Sequence, residues 1–195
     1  MTARIRPLPE SDSRSGDPLL DDLVAFVGYR PNALLTMGRK PGLLNAVLAL
    51  VQVAIRGEGE LAPALRFLIA CEASRGAGCA YSATHAVHAA HHLGVDWAKL
   101  AALDDWERSN LFTANERAAL AIARAGATLP VASSDEAFRL AAQCFTEGQL
   151  LEIVAVVALF GWFNRWNSVM RTELEAIPGE ALAHVPWLHR MTVRD

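Results

Sequence analysis

The sequence predicts an all-α protein, a bundle of about seven helices with no sheet. Three observations carry that expectation. The composition is 52% hydrophobic and 20% charged, with Ala and Leu abundant, a balance typical of soluble helical domains. From Pro41 onward apolar residues recur at spacings of three and four, the period of a helix with one buried face. No stretch alternates in the manner of a β-branched strand. At 195 residues the chain is long enough for one substantial core.

Residues 1 to about 20 set Pro7, Pro9 and Pro18 among Ser, Asp and Arg and read as an extended arm. Residues 21–195 read as one domain. "PGLLNAVLALVQVAIRG" opens on a proline suited to a first turn and stops at Gly57. "LAPALRFLIACEAS" is a second helix, closed by Gly76 and Gly78. A third begins near Cys79 and runs to Gly94, and a fourth lies in "DWAKLAALDDWERS". Three later starts pair a hydroxyl with Glu or Gln three residues on: Thr113 with Glu116, Ser133 with Glu136, and Thr146 with Gln149. Each reads as a capping box, in which the two side chains satisfy free amides of the first turn. The last opens a long helix expected to continue through "MRTELEAI". The tail after Pro178 reads as irregular.

The formal net charge is -3 without a basic run, which argues against nucleic acid or an anionic membrane as a partner. Three cysteines, Cys71, Cys79 and Cys144, make an odd count, and "MTARIRPLPESDS" lacks the apolar core of a signal peptide. A reducing cytoplasm is therefore the expected location. The longest apolar run, Ile153 to Phe163, is shorter than the ~20 residues of a membrane helix.

Chemistry concentrates in "GAGCAYSATHAVHAAHH", Gly76 to His92. Cys79, Ser82, His85 and His88 stand three residues apart there. On a helix, successive members of such a series are offset by about 60°, so neighbours share a face. A thiol just after a glycine turn lies at the positive end of the helix dipole, which lowers its pKa. His85 is placed to hydrogen-bond Ser82, or to reach Cys79 through a water. The bland readings stand beside these: an inert buried cysteine, and a serine bonded back to its own helix. A Ser-His nucleophile has no orienting acid or oxyanion hole visible in the sequence. His85, His88 and His92 share a stripe, but no carboxylate accompanies them, so neither a metal nor any other cofactor is expected.

On "LRFLIACEASRGAGCAYSATHA" the chain resembles the carboxymuconolactone decarboxylase and AhpD-like alkylhydroperoxidase superfamily. Gly78, Cys79, Tyr81 and His85 match its Gly-Cys-x-Tyr-Cys…His signature, with Ser82 where the second cysteine belongs. "RPNALLTMGRKPGLLNAVLALV" and "FTEGQLLEIVAVVALFGWFNRWNSVMRTELE" look like flanking segments of its peroxidase-related members. The resemblance implies an AhpD-like fold assembled as homo-oligomers, commonly dimers, trimers or hexamers. In the peroxidase branch the second cysteine attacks peroxide, deprotonated through Glu, water and His, and the first closes a disulfide. Ser82 cannot form a sulfenate. The relay Glu of that branch, about twelve residues before the first cysteine, falls here on Phe67, and the nearest acid is Glu72.

A pocket wall is expected around Trp162 and Trp166, one turn apart, with Arg165 as a clamp for a carboxylate or peroxide. An aromatic core or oligomer stripe is the other reading of the same residues. Glu152 lies in a very apolar run and needs a partner, with Arg165 or His85 expected. Tyr81 and His88 complete the candidate pocket for a small-molecule substrate.

Three functions remain open from sequence. The first is an antioxidant-type protein with residual thiol chemistry on Cys79, assisted by His85 and reset by an external thiol reductant. The second is a decarboxylase-branch lyase acting on a small lactone or keto acid, with His85 as general acid or base. The third is a non-catalytic oligomeric binding or scaffold protein.

Overall fold

The computed structural model describes residues 2–12, 16–128, 130–131 and 135–192. Eleven α-helices and no strand lie among them. Helix α4 (Pro63–Gly76) organises the rest: every residue from Arg66 to Ser74 is buried, which requires neighbours on all sides. Those neighbours are α5 (Ala80–His92), α7 (Ala114–Ala127) and α9 (Glu147–Met170). α5 approaches α4 closely because its inner face is small, with Ala83, Ala86, Val87 and Ala90 sealed from solvent. The turn between them depends on Gly78, whose φ of 72° is left-handed. It lets the Cys79 amide donate to Ser74 O at 3.1 Å, and α5 starts at the next residue.

The helices expected after Pro41 are present. α3 (Leu43–Val51) runs into a π turn, Gln52–Arg56, before Gly57. α6 (Trp97–Ala101) continues as a 3-10 turn, Ala102–Asp105. Capping boxes on Thr113 and Thr146 open α7 and α9. Ser133 lies outside the described residues, and α8 (Asp135–Ala141) follows it.

Four helices were not anticipated. α1 (Pro18–Val27) is capped by the Asp17 side chain with Pro18 in its first turn, and α2 (Asn32–Met37) follows. Residues 2–12 precede them without helix and lie against the body: Leu8 is buried, and the Arg4 amide donates to Met170 O. α10 (Ala176–Gly179) and α11 (Pro186–Thr192) lie in the tail. The long helix also stops earlier than expected, at Met170. Arg171 turns left-handed, φ 51°, and its amide closes on Asn167 O. The chain then folds back. Trp187 Nε1 donates to Leu100 O at 2.8 Å, and Trp97 is sandwiched between His91 and His184, with ring centres 3.7 and 4.5 Å away.

The apolar run Ile153–Phe163 lies inside α9, which by length and composition alone is long enough to cross a membrane. One face of it, Leu150, Ile153, Val156, Leu159 and Phe160, is buried in the core.

Candidate functional site

Cys79 caps the N-terminus of α5, and Ser82 and His85 follow on the helix. Ser82 and His85 line an apolar cavity of about 110 Å³. Its walls come from α1 (Leu23, Phe26), the π turn (Ile55), α4 (Phe67) and α9 (Leu159, Phe160, Phe163). Tyr29, Tyr81 and Asn167 add the remaining polar atoms at the α5 side. Arg56 is the one guanidinium among the lining residues, 4.7 Å above the Phe26 ring. Burial pulls its pKa down against the opposing charge of Asp22.

The polar end is built around Glu175, which the sequence did not single out. Its carboxylate accepts from His85 Nε2 at 2.7 Å, from the Tyr81 hydroxyl at 2.8 Å and from the Asn32 amide at 2.5 Å. Burial alone would raise its pKa, but the His85 hydrogen bond and charge and the Asn32 amide hold it below the ordinary carboxylate value. An ionised carboxylate only accepts, so His85 Nε2 carries a hydrogen. In the neutral ring Nδ1 is then an acceptor, and the Tyr29 hydroxyl stands 3.0 Å from it. Burial, and next the charge of Glu175, push the Tyr29 pKa far up, so Tyr29 stays a phenol. Tyr81 stacks on His85 at 4.1 Å, fixing the ring plane. The result is a continuous chain from carboxylate to imidazole to phenol, ending at an apolar cavity.

Ser82 is held from two sides. Cys79 Sγ lies 3.3 Å from Ser82 Oγ as donor, and Asn167 Nδ2 donates to the same oxygen at 3.1 Å. The Asn167 carbonyl is itself fixed by Thr172 Oγ1 at 2.9 Å.

Several sequence expectations are corrected by these positions. Cys79 does not line the cavity with Ser82 and His85. It borders a separate, more polar cleft of about 720 Å³ with Ser168, Arg171 and Thr172, and Tyr81 and Asn167 form the partition. Glu72 is engaged elsewhere than at His85: it is fully buried between Arg75 and Arg124, at 2.8 and 2.6 Å. Glu152 meets neither Arg165 nor His85. It accepts from the Glu60 and Leu61 amides and pairs with buried Arg66 at 3.3 Å. Trp162 and Trp166 stack on each other at 6.0 Å outside the cavity, and exposed Arg165 donates to Gly161 O of its own helix. Phe163, between them, is the residue that reaches the cavity.

His88 donates to Val27 O at 3.1 Å and packs on Tyr29 without lining the cavity; burial pulls its pKa down. His92 stands edge-on to Phe26. Among the described residues no group of three or more His, Cys, Asp or Glu is arranged to hold a metal ion.

Fold and site together define a class of protein: an all-helical bundle with a Tyr-His-Glu hydrogen-bond chain set against an apolar cavity. The model of the carboxymuconolactone decarboxylase family matches residues 41–125. The debrominase Bmp8 is similar over nearly the whole chain. Its cysteine-to-alanine variant, solved in complex with 2,3,4-tribromopyrrole, is 32% identical, covers 94% of this chain and 97% of its own, and superposes with a TM-score of 0.86. The chain belongs to the carboxymuconolactone decarboxylase family. The uncharacterised Escherichia coli K12 protein YnjA is 29% identical over 150 residues, which is 76% of this chain and 79% of YnjA. A peroxidase-related AhpD-core protein of Ralstonia eutropha JMP134 shares the fold at 18% identity, with a TM-score of 0.74 over 90% of this chain and 95% of that one.

Proposed function

We propose that this protein is an acid–base enzyme of the decarboxylase type, which moves a proton onto a small, largely apolar acid held in the cavity. The single observation that carries the reading is the Glu175–His85–Tyr29 chain, whose last hydroxyl borders a cavity that contains no thiol.

With His85 protonated, Nε2–H stays on Glu175, Nδ1–H faces the Tyr29 oxygen and the phenol hydrogen is free for the substrate. Carbon dioxide leaves a carboxylate substrate with the bonding electron pair remaining on carbon. Tyr29 gives its proton to that carbon and takes the Nδ1 proton of His85, so the imidazolium becomes neutral and the phenol is restored. One proton from solvent resets His85. No oxidant or reductant is required. Apolar walls disfavour a buried carboxylate and so favour its departure as a neutral gas. Ser82 supplies a hydroxyl for orientation, because its oxygen already accepts from Cys79 and Asn167. Arg56 takes the role of carboxylate anchor expected of Arg165, since it borders the cavity. That Bmp8 is held in complex with a compact heterocycle supports a ring-sized ligand here.

A second reading rests on Cys79, which borders the polar cleft. Peroxide would convert its thiol to a sulfenic acid, releasing the alcohol or water, and an external thiol would reduce it again.

The test is carbon dioxide release from carboxymuconolactone and a panel of β-keto acids, with and without iodoacetamide treatment. Release that survives thiol blocking and drops about 100-fold or more in Tyr29→Phe is expected from general acid catalysis. No release from any of these acids, or release abolished by the blocking reagent, overturns the reading. A sulfenate on Cys79 after dilute peroxide, seen by mass spectrometry, is the mark of the second.

A further inference from the structure

Val51, Ile55 and Arg56 all line the cavity, three positions that a regular helix would splay apart. At about 100° per residue, a helix continued from Val51 returns Ile55 to the same face but turns Arg56 about 140° away. Arg56 would then fall between Gln52 and Val53, both exposed, Val53 at 80%. The π turn Gln52–Arg56 removes that conflict. The Gly57 amide donates to Gln52 O, five residues back, at 2.6 Å. The wider turn carries Arg56 round toward the face of Val51, where its guanidinium lies over the Phe26 ring. No side chain fits at position 57, because a Cβ there would stand 2.6 Å from Gln52 O.

A buried cation holds this turn. Arg66, in the middle of α4, is 3% exposed. Its Nη1 donates to Ile55 O at 3.3 Å and to Gly57 O at 2.7 Å, the carbonyls on either side of Arg56. Its Nε faces Glu152 Oε2 at 3.3 Å. Glu152 fixes the chain just beyond the turn by accepting from the Glu60 and Leu61 amides. Gly59 passes so close that a Cβ on it would collide with both side chains. Burying a guanidinium this deeply costs desolvation that pairing repays poorly, so its contacts point to geometry rather than stability. We propose that the π turn makes the cavity selective for acids by turning Arg56 inward, and that Arg66, backed by Glu152, is the positioning residue that keeps it there. This role rests on the reading of the cavity as an acid site, and adds what holds its cation in place.

Isothermal titration calorimetry with benzoate and benzamide, alike in size and different in charge, tests this without turnover. The wild type is expected to bind benzoate about tenfold more tightly or better, and Arg56→Gln to lose that preference. Arg66→Met and Gly57→Ala keep Arg56 in the chain, yet should lose the preference to a similar extent with benzamide affinity unchanged. Arg66→Lys, which retains a donor for the two carbonyls, should recover part of it. Gly57 has an ordinary φ of -70°, so alanine there disturbs the π bond alone and decides the matter if circular dichroism shows Arg66→Met unfolded. Loss of preference in Arg56→Gln only, or equal weakening of both ligands in the other variants, overturns the positioning role and leaves the acid site standing. A wild type that binds neither ligand or does not favour benzoate, or an Arg56→Gln variant as selective as wild type, overturns both.

Discussion

The Glu175 carboxylate receives His85 Nε2 at 2.7 Å across 90 residues of chain, and it is held below its ordinary pKa despite burial. A group with a depressed folded-state pKa stabilises the protein above its unfolded value, 4.5 here. That contribution disappears as pH falls through the folded value. Glu175→Gln cannot titrate. Its melting temperature should be lower than wild type at neutral pH, and the gap should narrow as pH falls below 4.5 and close once the carboxylate is protonated in the native state. Thermal unfolding followed from pH 3 to 7 measures this; parallel curves for the two proteins would show that the pairing does not stabilise the native state.

Tyr29 contributes a ring and a hydroxyl, and Tyr29→Phe separates them. The ring packs edge-on to His85 at 5.3 Å and survives the change. Losing one hydrogen bond costs about 1 kcal/mol, a shift of a few degrees in melting temperature. Turnover should fall far more, by about 10²- to 10⁴-fold if the phenol carries the proton. A variant that loses stability and activity in the same small proportion would make Tyr29 a packing residue only.

The sequence made α5 legible down to its first residue, and helical spacing correctly set Ser82 and His85 toward one cavity. The spacing of three does set Cys79 beside Ser82, but it could not show that Tyr81 and Asn167 stand between the thiol and the cavity that Ser82 and His85 line. Glu152 has the partner that its apolar run requires, but that partner, Arg66, sits in the buried face of α4, where no local pattern marks it. Tyr29 and Glu175 stand 56 and 90 residues from His85. Only the fold-back after Arg171 brings the acid home. The N-cap Asp17 before Pro18 was a readable start for α1, and with it the position of Tyr29 just beyond that helix.

Ser82→Cys asks whether the cavity and the cleft can be joined by one bond. Cys79 Sγ and Ser82 Oγ are already 3.3 Å apart, and a disulfide needs about 2.05 Å between sulfurs with Cβ atoms roughly 3.5–4.5 Å apart. Closing that difference requires the two side chains to approach by about 1.3 Å more. The variant should lose two hydrogens on mild oxidation, read by intact-mass spectrometry, and regain them with dithiothreitol. Cys79→Ser in the same background should abolish the change. A double-cysteine protein that stays reduced while its thiols remain open to alkylation would mean the two side chains cannot approach further.

Glu72 titrates in the opposite sense to Glu175. It is completely buried, and burial pushes its carboxyl up to about 7 against the pull of Arg75. Between pH 4.5, its ordinary value, and 7 the native state therefore keeps a proton that the unfolded chain has released. Native stability must fall as pH rises across that window and level off above it, by up to ~3 kcal/mol for a shift of this size. The informative quantity is the difference between wild type and Glu72→Gln. The variant keeps an acceptor for Arg75 and Arg124 but has no proton to lose. Chemical denaturation at pH 5 and pH 8 should show a larger loss of stability in the wild type than in the variant. Equal losses would mean that the two guanidiniums keep Glu72 ionised throughout, and that the buried cluster is a fixed ion pair joining α4 to α7.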